Sequence, residues 1–215
     1  MEKKNTKLFF VGVGLLVTFV LWTVLVRFVD VRAIGPEGSS VGFATLNRFI
    51  HEFTGVNWLL YTVTDWLGLV PIAVAFDFAV LGLVQLIKRK SLWMVDHSIL
   101  ALGVFYIAVM AAYVLFETVV INYRPTLING YLEASYPSST TMLVMCVMPT
   151  AAMQLNVRIK NTVLRRCAVI TIVAFTAFMV IGRLVSGVHW ITDIIGGALL
   201  SAGLVTMYDV FGKCK

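Results

Sequence analysis

The chain has 215 residues, 60% of them hydrophobic and 13% charged, with a formal net charge of +6. Its mean hydropathy of +0.91 excludes a soluble globular domain and points to a protein embedded in a bilayer. The positive charge then marks topology, and no nucleic-acid partner is expected.

Leu8 to Val26 carries no charge and is long enough to cross ~30 Å of hydrocarbon at ~1.5 Å per residue. No small-x-small cleavage site follows it, so a retained first span is expected rather than a signal peptide. Asp30 to Asn57 is too polar to cross. Within it, Phe43, Leu46, Phe49, Ile50 and Phe53 recur at three-and-four spacing, which predicts a helix lying in the membrane interface. His51, on that helix, is expected at the surface with no catalytic role. A second span from about Trp58 to Ile87 carries Asp65 and Asp77, which must avoid lipid. Asp65, near one end, is placed to pair with an arginine, and Pro71 should disturb this helix.

Uncharged runs from Ser98 to Phe116, Pro137 to Val157 and Cys167 to Gly182 give three more spans, and Trp190 to about Val210 a sixth. The fold expected is all-α, a single domain over residues 1–215 built as a six-helix transmembrane bundle. Lys and Arg gather at Lys3, Lys4 and Lys7; at Lys88 to Lys90; at Arg158, Lys160, Arg165 and Arg166; and at Lys213 and Lys215. Two spans separate each cluster from the next, so all four fall on one side, which the positive-inside rule makes cytoplasmic. Both termini then face the cytoplasm of a multi-pass cell-membrane protein, and the loops holding Arg124 and Arg183 face outward together. Cys146, Cys167 and Cys214 form neither a metal spacing nor a disulfide framework.

Three polar segments belong to that outer end. Arg183, His189 and Asp193 open the last span, with the histidine and carboxylate four residues apart and therefore on one face if the helix starts at Trp190. Arg124-Pro125 follows the third span. Pro137-Ser138-Ser139-Thr140 opens the fourth, where hydroxyls and free backbone N–H groups at a helix start favour an anion. Two arginines, one histidine and a hydroxyl-rich helix start are the parts of a phosphate site. No Walker-type glycine loop, no HExxH and no carboxylate cluster accompanies them, so no metal and no cofactor are expected. Histidine as nucleophile, with arginines balancing the charge on phosphorus, is the chemistry these parts suit.

These segments resemble the motifs of the type-2 phosphatidic acid phosphatase family of membrane lipid-phosphate phosphatases. The third motif, Arg, five residues, His, three residues, Asp, is matched in full by Arg183, His189 and Asp193. In the first, Lys, six residues, Arg-Pro, the chain has Arg124-Pro125 but Glu117 at the lysine. In the second, Pro-Ser-any-His, it has Pro137, Ser138 and Ser139 but Thr140 at the histidine.

The resemblance implies that His189 attacks phosphorus to form a phosphohistidine, that Asp193 orients it, and that Arg124 and Arg183 bind phosphate beside Ser138, Ser139 and Thr140. It also implies that a general acid is missing at Thr140. Such a loss costs on the order of a hundred- to ten-thousand-fold unless the leaving group needs no proton. A diphosphate leaves as a phosphate with a second pKa near ~6, so a polyprenyl diphosphate is the favoured lipid substrate. Glu117 stands as a substitute acid or as a partner of Arg124. Two other readings stay open: a phosphotransferase, and a catalytically silent binder of lipid phosphates.

Overall fold

The computed structural model describes residues 3–212, so Cys214 and the cluster of Lys213 and Lys215 lie outside the described residues. Its helices are α1 (Lys3–Phe28), α2 (Ala44–Thr54), α3 (Trp58–Leu67), α4 (Leu69–Arg89), α5 (His97–Thr118), α6 (Ser139–Arg158), α7 (Thr162–Val185) and α8 (Ile191–Gly212). With α3 and α4 taken as one span, six are long and apolar enough to cross a membrane. This is the all-α transmembrane bundle expected.

Helix α3 ends at Leu67 and α4 starts at Leu69, so the second span is interrupted at Gly68. Pro71 accounts for the position. It has no N–H to give the Leu67 carbonyl four residues earlier, and its ring crowds that oxygen. Asn57 starts the span by accepting the Leu60 N–H at 2.9 Å.

Burial divides the helices into two classes. Half of the apolar window of α6 and 44% of that of α8 are buried inside the protein, against 11–22% for the other spans. Hence α6 and α8 form the centre, and the rest present Val, Ile, Leu and Phe to lipid. The core runs along them through Met142, Cys146, Ala151, Leu200 and Tyr208, met by Phe19 and Val26 of α1 and by Ile99, Leu102, Phe105 and Val109 of α5. Small residues let helices close up: a Cβ at Gly203 of α8 would lie 2.7 Å from Leu16 of α1.

Between α1 and α2 a short antiparallel pair, β1 (Arg32–Ala33) and β2 (Ser40–Val41), folds the chain back over the end of the bundle. Asp30 accepts the Thr45 N–H at 2.7 Å at the start of α2, a bond that holds its carboxyl below the usual range. Asn47 anchors α2 inward by donating to the Gly42 carbonyl at 2.8 Å and to Thr192 Oγ1 at 3.0 Å. Leu46, Phe49 and Phe53 point outward, as an interfacial helix requires.

Candidate active site

Each catalytic candidate sits at a helix end or in a tight connection at one end of the bundle. Between α5 and α6, residues 122–135 fold into a hairpin with Tyr123 opposite Ala134 and Ile128 opposite Tyr131, turned by Asn129 and Gly130 at φ 50° and 82°. The Tyr123–Ala134 pairing sets Arg124 across from Glu133, and the Arg124 N–H donates to the Glu133 carbonyl at 3.0 Å. The connection from α7 to α8, residues 186–190, is strapped in place by the linker before α3. There Asn57 N–H donates to the Ser186 carbonyl at 3.0 Å, and Gly187 has φ +69° with the Gly55 carbonyl where a Cβ would stand.

These constraints bring Arg124 Nη1 to 3.2 Å from His189 Nε2. A guanidinium can only donate, so this contact requires a lone pair on Nε2 and places the ring proton on Nδ1. Nδ1 lies 3.7 Å from Asp193 Oδ2, an ion-pair distance beyond hydrogen-bond reach. The helix begins at Ile191 rather than Trp190, so His189 precedes α8. Asp193 makes its shortest bond to the chain itself, accepting the Trp190 N–H at 2.9 Å, and takes a longer one from Asn122 Nδ2 at 3.4 Å. It thereby caps its own helix while facing the ring.

Burial, with Arg124 and Arg183 adding their charge, holds the His189 imidazole well below its usual range, so the ring is neutral at neutral pH. Arg183 projects from the last turn of α7 with only 1% of its side chain exposed. Its guanidinium stacks 5.0 Å from the Tyr61 ring centroid, donates to Thr64 Oγ1 at 3.4 Å and lies 3.6 Å from Asp65 Oδ1. The expected partnership of Asp65 with a site arginine is therefore present. Arg124 Nε, Arg183 Nε and His189 Nδ1 are buried with no hydrogen-bond partner. Unpaired buried donors are costly, and an anion with several acceptor oxygens is what satisfies them.

Helix α6 starts beside this cluster, since the Ser138 N–H donates to the Asp193 carbonyl at 3.0 Å. Ser138 is fully buried, and its hydroxyl caps the helix by accepting the Thr141 N–H at 3.4 Å. Ser139 and Thr140 are half-buried in the first turn. The carboxylate on Arg124 is that of Glu133, at 3.1 Å from Nε, and not that of Glu117. Glu117 instead lies one turn after Tyr113 on α5, near Ser139 in a cavity between α5 and α6. His51 is half-buried, its ring 5.4 Å from that of Trp190, and burial pulls its pKa down. Sequence reasoning missed Glu133, Asn122 and Trp190, whose indole donates to the Tyr123 carbonyl at 2.8 Å and ties the two connections together.

The family model of the PAP2 superfamily matches residues 45–213. The chain belongs to that superfamily. Its fold is similar to a crystal structure of a transmembrane PAP2-type phosphatidylglycerolphosphate phosphatase from Bacillus subtilis. The TM-score is 0.63 at 19% identity, over 92% of this chain and 94% of that one. None of the curated proteins matches the chain significantly. The superfamily match starts inside α2. Helix α1 lies outside it, yet α1 reaches the site's framework: Trp22 Nε1 donates to the Thr192 carbonyl at 3.2 Å, and Thr23 Oγ1 meets the Tyr136 hydroxyl at 2.7 Å. Membership and fold together support a multi-pass membrane phosphatase.

Proposed function

We propose that the protein removes the terminal phosphate of a membrane lipid diphosphate, a polyprenyl diphosphate being favoured, through a phosphohistidine on His189. Both termini face the cytoplasm in this reading and the site opens outward. The observation that carries it is the contact of Arg124 Nη1 with His189 Nε2 at 3.2 Å, which aims an unprotonated ring nitrogen at a phosphate-binding guanidinium.

In the first step the Nε2 lone pair forms a bond to the terminal phosphorus while the bridging P–O bond breaks. The lipid monophosphate departs with that electron pair. Arg124 and Arg183 stabilise the negative charge spread over the phosphoryl oxygens, and Asp193 faces the Nδ1 proton as the ring becomes cationic. Water then attacks phosphorus, the P–N bond breaks back to Nε2, and inorganic phosphate leaves with a proton released to solvent.

Thr140, at the position of the family's general acid, can hydrogen-bond an oxygen but cannot protonate one at neutral pH. A departing phosphate needs no proton, whereas an alkoxide does. No metal ion is assigned a role, because the donors around His189 are cationic guanidiniums that repel one. The test is phosphate release by purified protein from a polyprenyl diphosphate and from phosphatidic acid, with and without chelator, and with His189→Ala as control. Chelator-resistant release that is faster from the diphosphate and absent in the variant is expected. Faster release from phosphatidic acid would remove the leaving-group argument, and binding of lipid phosphate without release would leave a silent binder.

A further inference from the structure

Each arginine facing His189 carries a carboxylate on its solvent side. Glu133 Oε2 lies 3.1 Å from Arg124 Nε, and Asp65 Oδ1 lies 3.6 Å from Arg183 Nη1. The arginine side chains are 10% and 1% exposed, the carboxylates 44% and 58%. The contact on Arg124 falls within ion-pair distance without hydrogen-bond geometry, leaving Nε unpartnered in that sense. The contact on Arg183 is longer than a hydrogen bond. Both carboxylates are nevertheless placed by the fold. The hairpin pins Glu133 opposite Arg124, and α3 packs Thr64, next to Asp65, where a Cβ on Gly182 would lie 2.8 Å from its Cγ2.

With His189 neutral, the two arginine charges face three carboxylates: Asp193, Glu133 and Asp65. A pocket that must grip a phosphoryl group in the transition state is thus not left cationic overall. We propose that Glu133 and Asp65 are positioning residues that act as exchangeable counter-ions. They hold the two guanidiniums toward His189 between turnovers and weaken the pocket's hold on the inorganic phosphate it releases. Half-exposed ion pairs of this geometry cost little to loosen, so the substrate's oxygens can take the guanidinium donors. After P–N cleavage the same two carboxylates repel the product anion and compete for the donors. Glu133, closer and less exposed than Asp65, has the larger effect.

This inference rests on the phosphate site proposed above, and direct binding of inorganic phosphate separates the two. Calorimetric titration of inorganic phosphate compares wild type with Glu133→Gln, Asp65→Asn, the conservative Glu133→Asp, and Glu37→Gln, the same charge change in the turn between β1 and β2, at a residue that pairs with neither arginine. Removing one nearby, partly screened charge should tighten phosphate by about tenfold in Glu133→Gln and by less in Asp65→Asn. Glu133→Asp should return weak binding, and Glu37→Gln should match wild type. In turnover, kcat should fall in Glu133→Gln as product is retained, with kcat/KM kept.

A merely structural role would lower the melting temperature and leave phosphate affinity unchanged. Unchanged or weaker phosphate binding in both folded variants overturns the inference and leaves the phosphatase reading standing. Wild type that binds no phosphate overturns both. If Glu133→Gln does not fold, Asp65→Asn decides the question by the same titration.

Discussion

The two ends of the bundle use the same residue types to opposite effect. At the end away from the site, Asp96 accepts from Arg89 at 2.9 Å, from Gln85 at 2.9 Å and from Arg158 at 3.3 Å, while Gln85 in turn accepts the Asp96 N–H. Those charges are 30–42% exposed, and each arginine is paired with Asp96. At the site end, Arg124, Arg183, His189 and Asp193 are all at least 92% buried, and three of their nitrogens lack a hydrogen bond. A wet cluster, saturated at Asp96, joins α4, α5 and α6 and pairs charge with charge. A dry, unsaturated one costs stability and leaves donors free for the proposed substrate. The difference between structural and reactive charge here lies in what is left unpaired.

The largest effect that could break this contrast is at His189. Under the proposed mechanism His189→Ala should reduce phosphate release by about ten-thousand-fold, since the proposed bond-forming atom is gone and only charge stabilisation remains. Acid-labile phosphoprotein trapped from wild type and absent from the variant is the check. Because burial and the arginines depress the ring's pKa below 6.5, the free protein keeps the proposed nucleophile unprotonated as pH falls to 6.5. The acid limb of kcat/KM should therefore lie below that value. The same shift makes folding stability fall as pH drops below 6.5, where the unfolded histidine takes up a proton that the folded one refuses.

Next in size are the arginines. Arg124→Lys keeps the charge but replaces a planar fork with a single ammonium that cannot meet Nε2 and a phosphoryl group together. A loss of about a hundredfold in kcat is expected, with a smaller change in KM. An equal loss in Arg89→Lys, at the saturated end, would contradict the contrast.

The spans were legible because uncharged runs of membrane length are rare in other folds, and Arg183, His189 and Asp193 because their spacing is unusual. Glu133 was not, since its partner is fixed by hairpin register rather than by sequence distance. The Asn129-Gly130 turn pairs Ile128 with Tyr131, and counting back from it would set 124 against 135; the register shifts by two residues along the hairpin, so that Tyr123 faces Ala134 and Arg124 faces Glu133. Asn47 and Asn122 were illegible for a different reason. Each reads as an ordinary loop or surface amide, and only tertiary packing buries them against Thr192 and Asp193. The Asp193 cap on Trp190 could be anticipated only by placing the start of α8 one residue later.

A packing change comes third. Gly196 is buried on α8, and a Cβ there would lie 2.6 Å from the Tyr136 ring, whose hydroxyl is held by Thr23 of α1. Tyr136 is also stacked at 6.4 Å on Phe19, so it cannot easily yield. Gly196→Ala should destabilise by about 1–3 kcal/mol through overpacking, read as a lower melting temperature in detergent. Activity per folded molecule should fall as well, because the clash pushes on the segment that leads into Ser138.

The smallest effect tests the saturated end itself. Asp96→Asn removes the charge that Arg89 and Arg158 share but leaves an oxygen that still accepts, so the cost should be about 1 kcal/mol or less at this exposure. The Arg89 hydrogen bond holds the Asp96 carboxyl below 3.8, with Gln85 and Arg158 adding to it. A depressed carboxylate stabilises the fold above its unfolded pKa and loses that contribution as pH falls through the folded value. The wild-type advantage over Asp96→Asn should therefore hold at neutral pH and shrink below pH 3.8, while phosphate release stays at the wild-type rate. A large drop in turnover without a drop in melting temperature would mean that the two ends are coupled through α6, and the separation of structural from reactive charge would have to be abandoned.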